Sequence, residues 1–294
     1  MNHLNIANNK NLDHLVYHND RILDVSDVNI APTLAGVLYG WGLFTTLRIY
    51  DGRVFAFEHH WERLLKSSEK ARVPLSIAVD AMKRGLRDLV AANAVKQGRA
   101  RITILKGEAG SWRGASAREA DVLIFTASDA ARPPAPLALT VSPYRVLSSG
   151  PLTGIKRTAM IENLLAYDEA RVRSFDEAVL LNERGEMVGA TAANLFWAQG
   201  DELFTPSLAT GAIAGITRRF VYDIAARARL HLVEGSFPTQ RLLDAREVFL
   251  TSTTREIAIV ASYDVKQYAP REANIARVIQ RRFRELTRDA KMLL

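Results

Sequence analysis

A proline-rich break, Ala130-Ala131-Arg132-Pro133-Pro134-Ala135-Pro136, constrains the fold of this chain more than any other feature. Proline fixes φ and lacks an amide hydrogen, so three prolines in four positions continue neither a helix nor a central strand. The segment reads as an extended connector. It divides the 294 residues into an N-terminal domain over 1–129, a linker over 130–136 and a C-terminal domain over 137–294. Both pieces have the size of an ordinary domain.

Strand and helix signals alternate in both. In the first domain, strand-like runs cover 15–17, 42–50, 53–56, 100–105 and 122–127, and helical patterns cover 58–71 and 77–95. Asp51-Gly52, between two of the strands, is a hairpin turn. In the second, strands are expected at 137–143, 177–182, 193–198, 202–205, 231–234 and 247–251, and helices at 159–173 and 217–229. Ile275, Val278, Ile279, Phe283 and Leu286 add a terminal helix. The fold class is α/β, in its α+β two-domain form.

Composition removes several functions. The chain has no cysteine, which excludes disulfides, thiolate metal sites and a cysteine nucleophile, and suits the cytoplasm. Met1-Asn2-His3-Leu4-Asn5 lacks the pattern of a signal peptide, and no apolar run reaches membrane-spanning length, so a soluble protein without membrane partners is expected. The net charge is +7. Its densest cluster, Arg281, Arg282, Arg284 and Arg288, lies on the terminal helix and reads as a solvated face, not a nucleic-acid surface.

Four segments bear chemistry. Gly215-Ile216-Thr217-Arg218-Arg219 opens a helix, where free amides and a hydroxyl make an anion site or a plain cap. Thr251-Ser252-Thr253-Thr254 ends an apolar strand with four hydroxyls, fit to wrap a phosphate or to finish a strand. In Glu58-His59-His60-Trp61-Glu62-Arg63, the guanidinium of Arg63 is a candidate phosphate clamp. His59 and His60 point about 100° apart on a helix, which argues against a shared metal. Lys156, in Gly154-Ile155-Lys156-Arg157-Thr158, precedes a helix; taken alone such a lysine is a solvated residue. A nucleophilic amine would need partial desolvation or neighbouring cations.

Their order along the chain says more than any one of them. "YGWGLFTTLRIYDGRVFAFEHHWERLLKS", "GIKRTAMIENLLAYDEA", "DEAVLLNERGEMVGATAANLFW", "GITRR" and "EVFLTSTTREI" resemble the signature blocks of class IV (fold type IV) pyridoxal-phosphate enzymes over about residues 15 to 262. That family holds branched-chain and D-amino-acid aminotransferases and 4-amino-4-deoxychorismate lyases. The resemblance implies a small N-terminal α/β domain, a larger C-terminal mixed domain, and pyridoxal 5′-phosphate between them in a homodimer. It also implies Lys156 as the Schiff-base lysine, and Arg63, Ile216, Thr217 and Thr253, helped by Ser252 or Thr254, as the phosphate cup. Phe44, Lys106 and Arg113 are the implied substrate contacts, with an amino acid and a keto acid as substrates.

One position departs from the pattern. Five residues before the asparagine of the "NLF" strand, Asn194, the family usually carries a glutamate for the pyridine nitrogen; here the residue is Gly189. Glu186 lies three residues earlier, on the opposite face of a strand and about 10 Å away unless a bulge intervenes. Thr191 or a water is the remaining substitute. The expectation is therefore an aminotransferase acting on a small amino acid. The alternatives are a pyruvate-releasing lyase, which "TAANLFW" and "GLFTT" resemble, and a family member with weakened chemistry.

Overall fold

The computed structural model describes residues 12–107, 118–129, 135–269 and 274–294. Strand pairing and helix packing gather them into two units. The first comprises Met1–Arg132, Arg157–Ala159 and Ala290–Leu294, the second Pro133–Lys156 and Met160–Asp289. The proline-rich linker lies mostly outside the described residues.

The first unit contains β1 (Leu12–His18), β2 (Arg21–Asp24), α1 (Ala35–Leu38), β3 (Gly42–Tyr50), β4 (Arg53–Val54), α2 (Phe57–Ala71), α3 (Val79–Ala92), β5 (Gly98–Lys106) and β6 (Ala120–Ser128). Its six strands form an antiparallel sheet in the order β2-β1-β6-β5-β3-β4. Asp51 and Gly52 turn the chain from β3 to β4 with φ of 49° and 77°, the left-handed pair that a type I′ hairpin needs. In α2, Phe57, His60, Trp61, Leu64, Ser67 and Ala71 are buried at three- and four-residue spacing, the stripe of a helix lying on a core. α3 is shorter than its apolar pattern suggests, because Asn93 leaves the helix to serve β1 and β6. Its amide nitrogen donates to Leu15 O and Thr126 Oγ1, both at 2.9 Å, and its oxygen accepts Leu15 N–H at 3.2 Å. The chain end returns to this unit: Leu294 N donates to Val54 O at 2.9 Å, alongside a bridge between Phe55 and Leu293.

The second unit contains β7 (Leu137–Val146), α4 (Ile161–Val172), β8 (Glu177–Asn182), β9 (Met187–Ala190), β10 (Asn194–Gln199), β11 (Glu202–Pro206), α5 (Ile216–Arg227), β12 (His231–Gly235), α6 (Gln240–Leu243), β13 (Glu247–Ser252), β14 (Glu256–Tyr263), β15 (Lys266–Gln267) and α7 (Ile275–Leu286). The sheet order is β12-β11-β10-β13-β14-β7-β8-β9, with β15 on β14. β7 and β8 are parallel neighbours, so α4 is their crossover and Lys156 sits in the loop that enters it. Trp197 stacks on Phe204 at 5.7 Å, and Phe237 meets both rings edge-on. The sequence reading does not anticipate β9 or β14. A glycine interrupts the first, and the second is an unalternating apolar run behind four hydroxyl residues that read as a turn. Among the described residues no helix is long and apolar enough to cross a membrane.

Candidate active site

In the second unit, three of the segments singled out in the sequence come together. Gly215 is the N-cap of α5; its backbone is extended (φ −69°, ψ 141°) and it provides no side-chain cap. The first amides of the helix are therefore not taken up by a capping side chain, and they carry the positive end of its dipole. A Cβ on Gly215 would lie 2.1 Å from Asn194 Oδ1, so only glycine fits against that side chain. Asn194 Nδ2 in turn donates to Ile213 O at 2.8 Å. Asn194 pairs with Thr251 across β10 and β13, which sets the hydroxyl segment beside the loop that leads into α5. Thr217 and Thr251 are both buried, and Thr251 Oγ1 finds no hydrogen-bond partner among the described residues. A buried hydroxyl without a protein partner at the end of a strand fits an oxygen-rich ligand.

The loop that carries Lys156 meets the same segment at Gly154. Lys156 follows the buried Ile155 and is itself half-buried. Gly154, at φ 76°, adopts the left-handed conformation that glycine permits, and a Cβ there would lie 3.5 Å from Ala212 O. The loop over 212–215 thus adjoins the lysine loop at one end and Asn194 at the other.

Gly189 lies on β9 opposite Leu180, and a Cβ on it would stand 2.9 Å from Ala193 O, a backbone atom that already accepts Ala190 N–H at 2.8 Å. The β8–β9 pairing shifts register between Leu180 and Leu181, so the ladder is irregular here. That irregularity does not bring Glu186 across. Its carboxylate stays in the turn, accepting from Asn182 Nδ2 at 2.7 Å and Arg184 Nη2 at 2.6 Å. The Arg184 and then the Asn182 hydrogen bonds hold its pKa below the usual carboxylate range. Thr191 donates its hydroxyl to Glu177.

In the first unit, Arg63 Nη2 donates to Thr45 Oγ1 at 2.9 Å. The Thr45 hydroxyl is also hydrogen-bonded to His60 Nδ1 at 2.7 Å, and both Thr45 and His60 are buried. Burial pushes the Arg63 pKa down to about 10, the signature of a desolvated cation. Phe44 is buried under the Arg101 guanidinium, 3.6 Å from its ring centre, and Arg101 Nε donates to Thr103 Oγ1 at 3.2 Å. Lys106 lies 3.7 Å from the Trp41 ring centre and donates to Arg72 O at 2.8 Å, where it closes the C-terminal end of α2. Burial, and then the charge of Arg72, lowers its pKa. Arg113 lies outside the described residues. Among the described residues no group of His, Asp or Glu is placed to hold a metal.

Sequence reasoning names Thr251 within its hydroxyl segment but misses Thr45, Arg101, Glu177 and Arg255, and weighs His60 only as a metal ligand. Thr45 reads as an ordinary β-branched strand residue, and Glu177 as a strand's polar first position. Burial marks Thr45 and Glu177, and only their contacts mark Arg101 and Arg255.

Residues 42–263 match the family model described as Amino-transferase class IV. The chain is 27% identical over 271 residues to the aminodeoxychorismate lyase of Bacillus subtilis (strain 168), covering 90% of this chain and 92% of the relative. It is 27% identical over 254 residues to a D-alanine aminotransferase of Bacillus licheniformis, covering 85% and 88%. A crystal structure of the branched-chain amino acid aminotransferase of Escherichia coli superposes with a TM-score of 0.88 at 25% identity, covering 96% of this chain and 98% of the other.

Proposed function

Because the chain belongs to the class IV aminotransferase family, a family of pyridoxal-phosphate enzymes, we propose that it transfers the amino group of a small amino acid to a 2-keto acid. The observation that carries this reading is the single loop over 212–215, which adjoins the Lys156 loop and leads into the uncapped start of α5. An aldehyde cofactor bearing a phosphate needs an amine and an anion site held at a fixed separation. The orphaned Thr251 hydroxyl beside that loop fits an anionic group.

In this reading Lys156 holds the cofactor covalently. Its phosphate is held by Ile216, Thr217, Ser252, Thr253 and Thr254, with Arg63 as the guanidinium ligand. Pyridoxal phosphate, when bound, withdraws electrons from the substrate's Cα. With the cofactor bound, Lys156 Nζ would take the proton from the substrate's Cα and deliver it to the carbon that had carried the cofactor's aldehyde oxygen, the role of a positioned general base and acid. Phe44, Lys106 and Arg113 are the substrate contacts. The amine of Lys106 must leave Arg72 O to reach a carboxylate, whereas Arg101 already presents a fork over Phe44.

Gly189 sets the strength of this chemistry. Glu186 is committed to its turn and the Thr191 hydroxyl to Glu177, so neither supplies the negative charge that keeps a pyridine nitrogen protonated. A slow transferase follows.

The lyase is a second reading, favoured by the Bacillus subtilis relative, which matches over 92% of its length. A screen of D- and L-amino acids with a keto-acid acceptor tests the first reading. Pyruvate released from aminodeoxychorismate with no acceptor present would replace it with the second.

We also place the chain in a homodimer. Along α4, Ile161, Leu164, Leu165 and Val172 are 69%, 57%, 51% and 86% exposed, an apolar row that water does not favour.

A further inference from the structure

Glu177 opens β8 with 0% exposure, and its carboxylate collects donors from three segments. Oε1 accepts the amides of Ala178 at 3.1 Å and Thr191 at 3.2 Å, together with the Thr191 hydroxyl. Oε2 accepts Arg255 Nη1 at 2.6 Å. Arg255 directly follows the hydroxyl segment, and its own amide donates to Ser252 Oγ at 3.1 Å. Glu177 is thereby bonded both to the turn over 190–193, which runs into Asn194, and to the turn over 253–255, which carries the candidate phosphate donors. Those turns are the two ends of the framework described above, since Asn194 pairs with Thr251.

An ion pair in this setting is not the cheapest way to stabilise a fold. Moving a carboxylate out of water costs several kcal/mol, and an apolar pair of like volume is often as stable. What a carboxylate with four donors adds is direction: it fixes where each donor's backbone stands. The guanidinium donates through Nη1 to that carboxylate, which ties the turn it belongs to onto Glu177.

We propose that Glu177 and Arg255 form a positioning strut that presets the Ser252–Thr254 turn for the cofactor's phosphate. The inference rests on the cofactor reading given above. Residues that orient ligand-holding groups matter because small errors in those groups are felt directly in affinity.

Pyridoxal, which lacks the phosphate, separates this role from a general loss of structure. Full-length, cofactor-free protein is titrated with pyridoxal phosphate and with pyridoxal. Glu177→Gln keeps the shape and the Thr191 contacts but removes the charge facing Arg255. It should weaken pyridoxal phosphate binding by on the order of tenfold or more, as loss of an orienting residue does elsewhere, and leave pyridoxal binding at the wild-type level. Arg255→Met, at the partly exposed end of the pair, gives the same selective loss if Glu177→Gln does not fold, and Arg255→Lys restores part of it. Equal losses for both ligands, or no loss in the variants, overturn the strut while the cofactor reading stands. Wild-type protein that binds neither ligand overturns both.

Discussion

Arg63 carries a charge in a setting that disfavours it. With its pKa down to about 10, the folded protein surrenders that proton at lower pH than the unfolded chain does. Between about pH 10 and the ordinary arginine value the unfolded state binds more protons, so this group's contribution to stability rises with pH there, and the cost of the buried charge is borne below pH 10. A dianionic ligand offsets that cost. Arg63→Met should therefore weaken pyridoxal phosphate binding by roughly 10- to 100-fold, the value of one charge-assisted hydrogen bond, in a titration near neutral pH. Gly189 gives a prediction of the opposite kind. Gly189→Glu places a Cβ 2.9 Å from Ala193 O, so it should cost about 1–3 kcal/mol of stability in chemical denaturation. An unchanged unfolding midpoint would mean that the turn over 190–193 yields freely.

The elements were legible in the sequence where a local rule decides them. Asp51-Gly52 specified its hairpin, and the apolar spacing of α2 and α5 specified their faces. Boundaries failed where a side chain was recruited from elsewhere: Asn93 ends α3 because β1 offers it partners 78 residues away in sequence. The candidate site was legible as separate segments, but not as an arrangement. Nothing in a linear pattern says that Asn194 touches the start of α5, or that Glu177 joins two turns, because those contacts depend on sheet order. The start of α5 also carries a prediction. Gly215→Ala drives a methyl to 2.1 Å from Asn194 Oδ1, which should displace that side chain and release Ile213 O. Thermal melts with and without pyridoxal phosphate should converge, since the stabilisation a ligand confers scales with its affinity.

At the scale of the whole molecule, the exposed apolar row of α4 has a consequence for assembly. Leu165→Glu with Val172→Glu should convert a dimer into a monomer in size-exclusion chromatography with light scattering, as charges in an apolar interface are left without partners. A double variant that elutes as the wild type would put the dimer contact elsewhere. The proposed chemistry depends above all on one amine. Borohydride reduction of the purified protein, followed by peptide mass analysis, reports where the cofactor is attached. A pyridoxyl-phosphate adduct is expected on Lys156 and should be lost in Lys156→Ala. Protein isolated with pyridoxal phosphate supplied, yet carrying its adduct on another lysine or on none, would contradict that expectation.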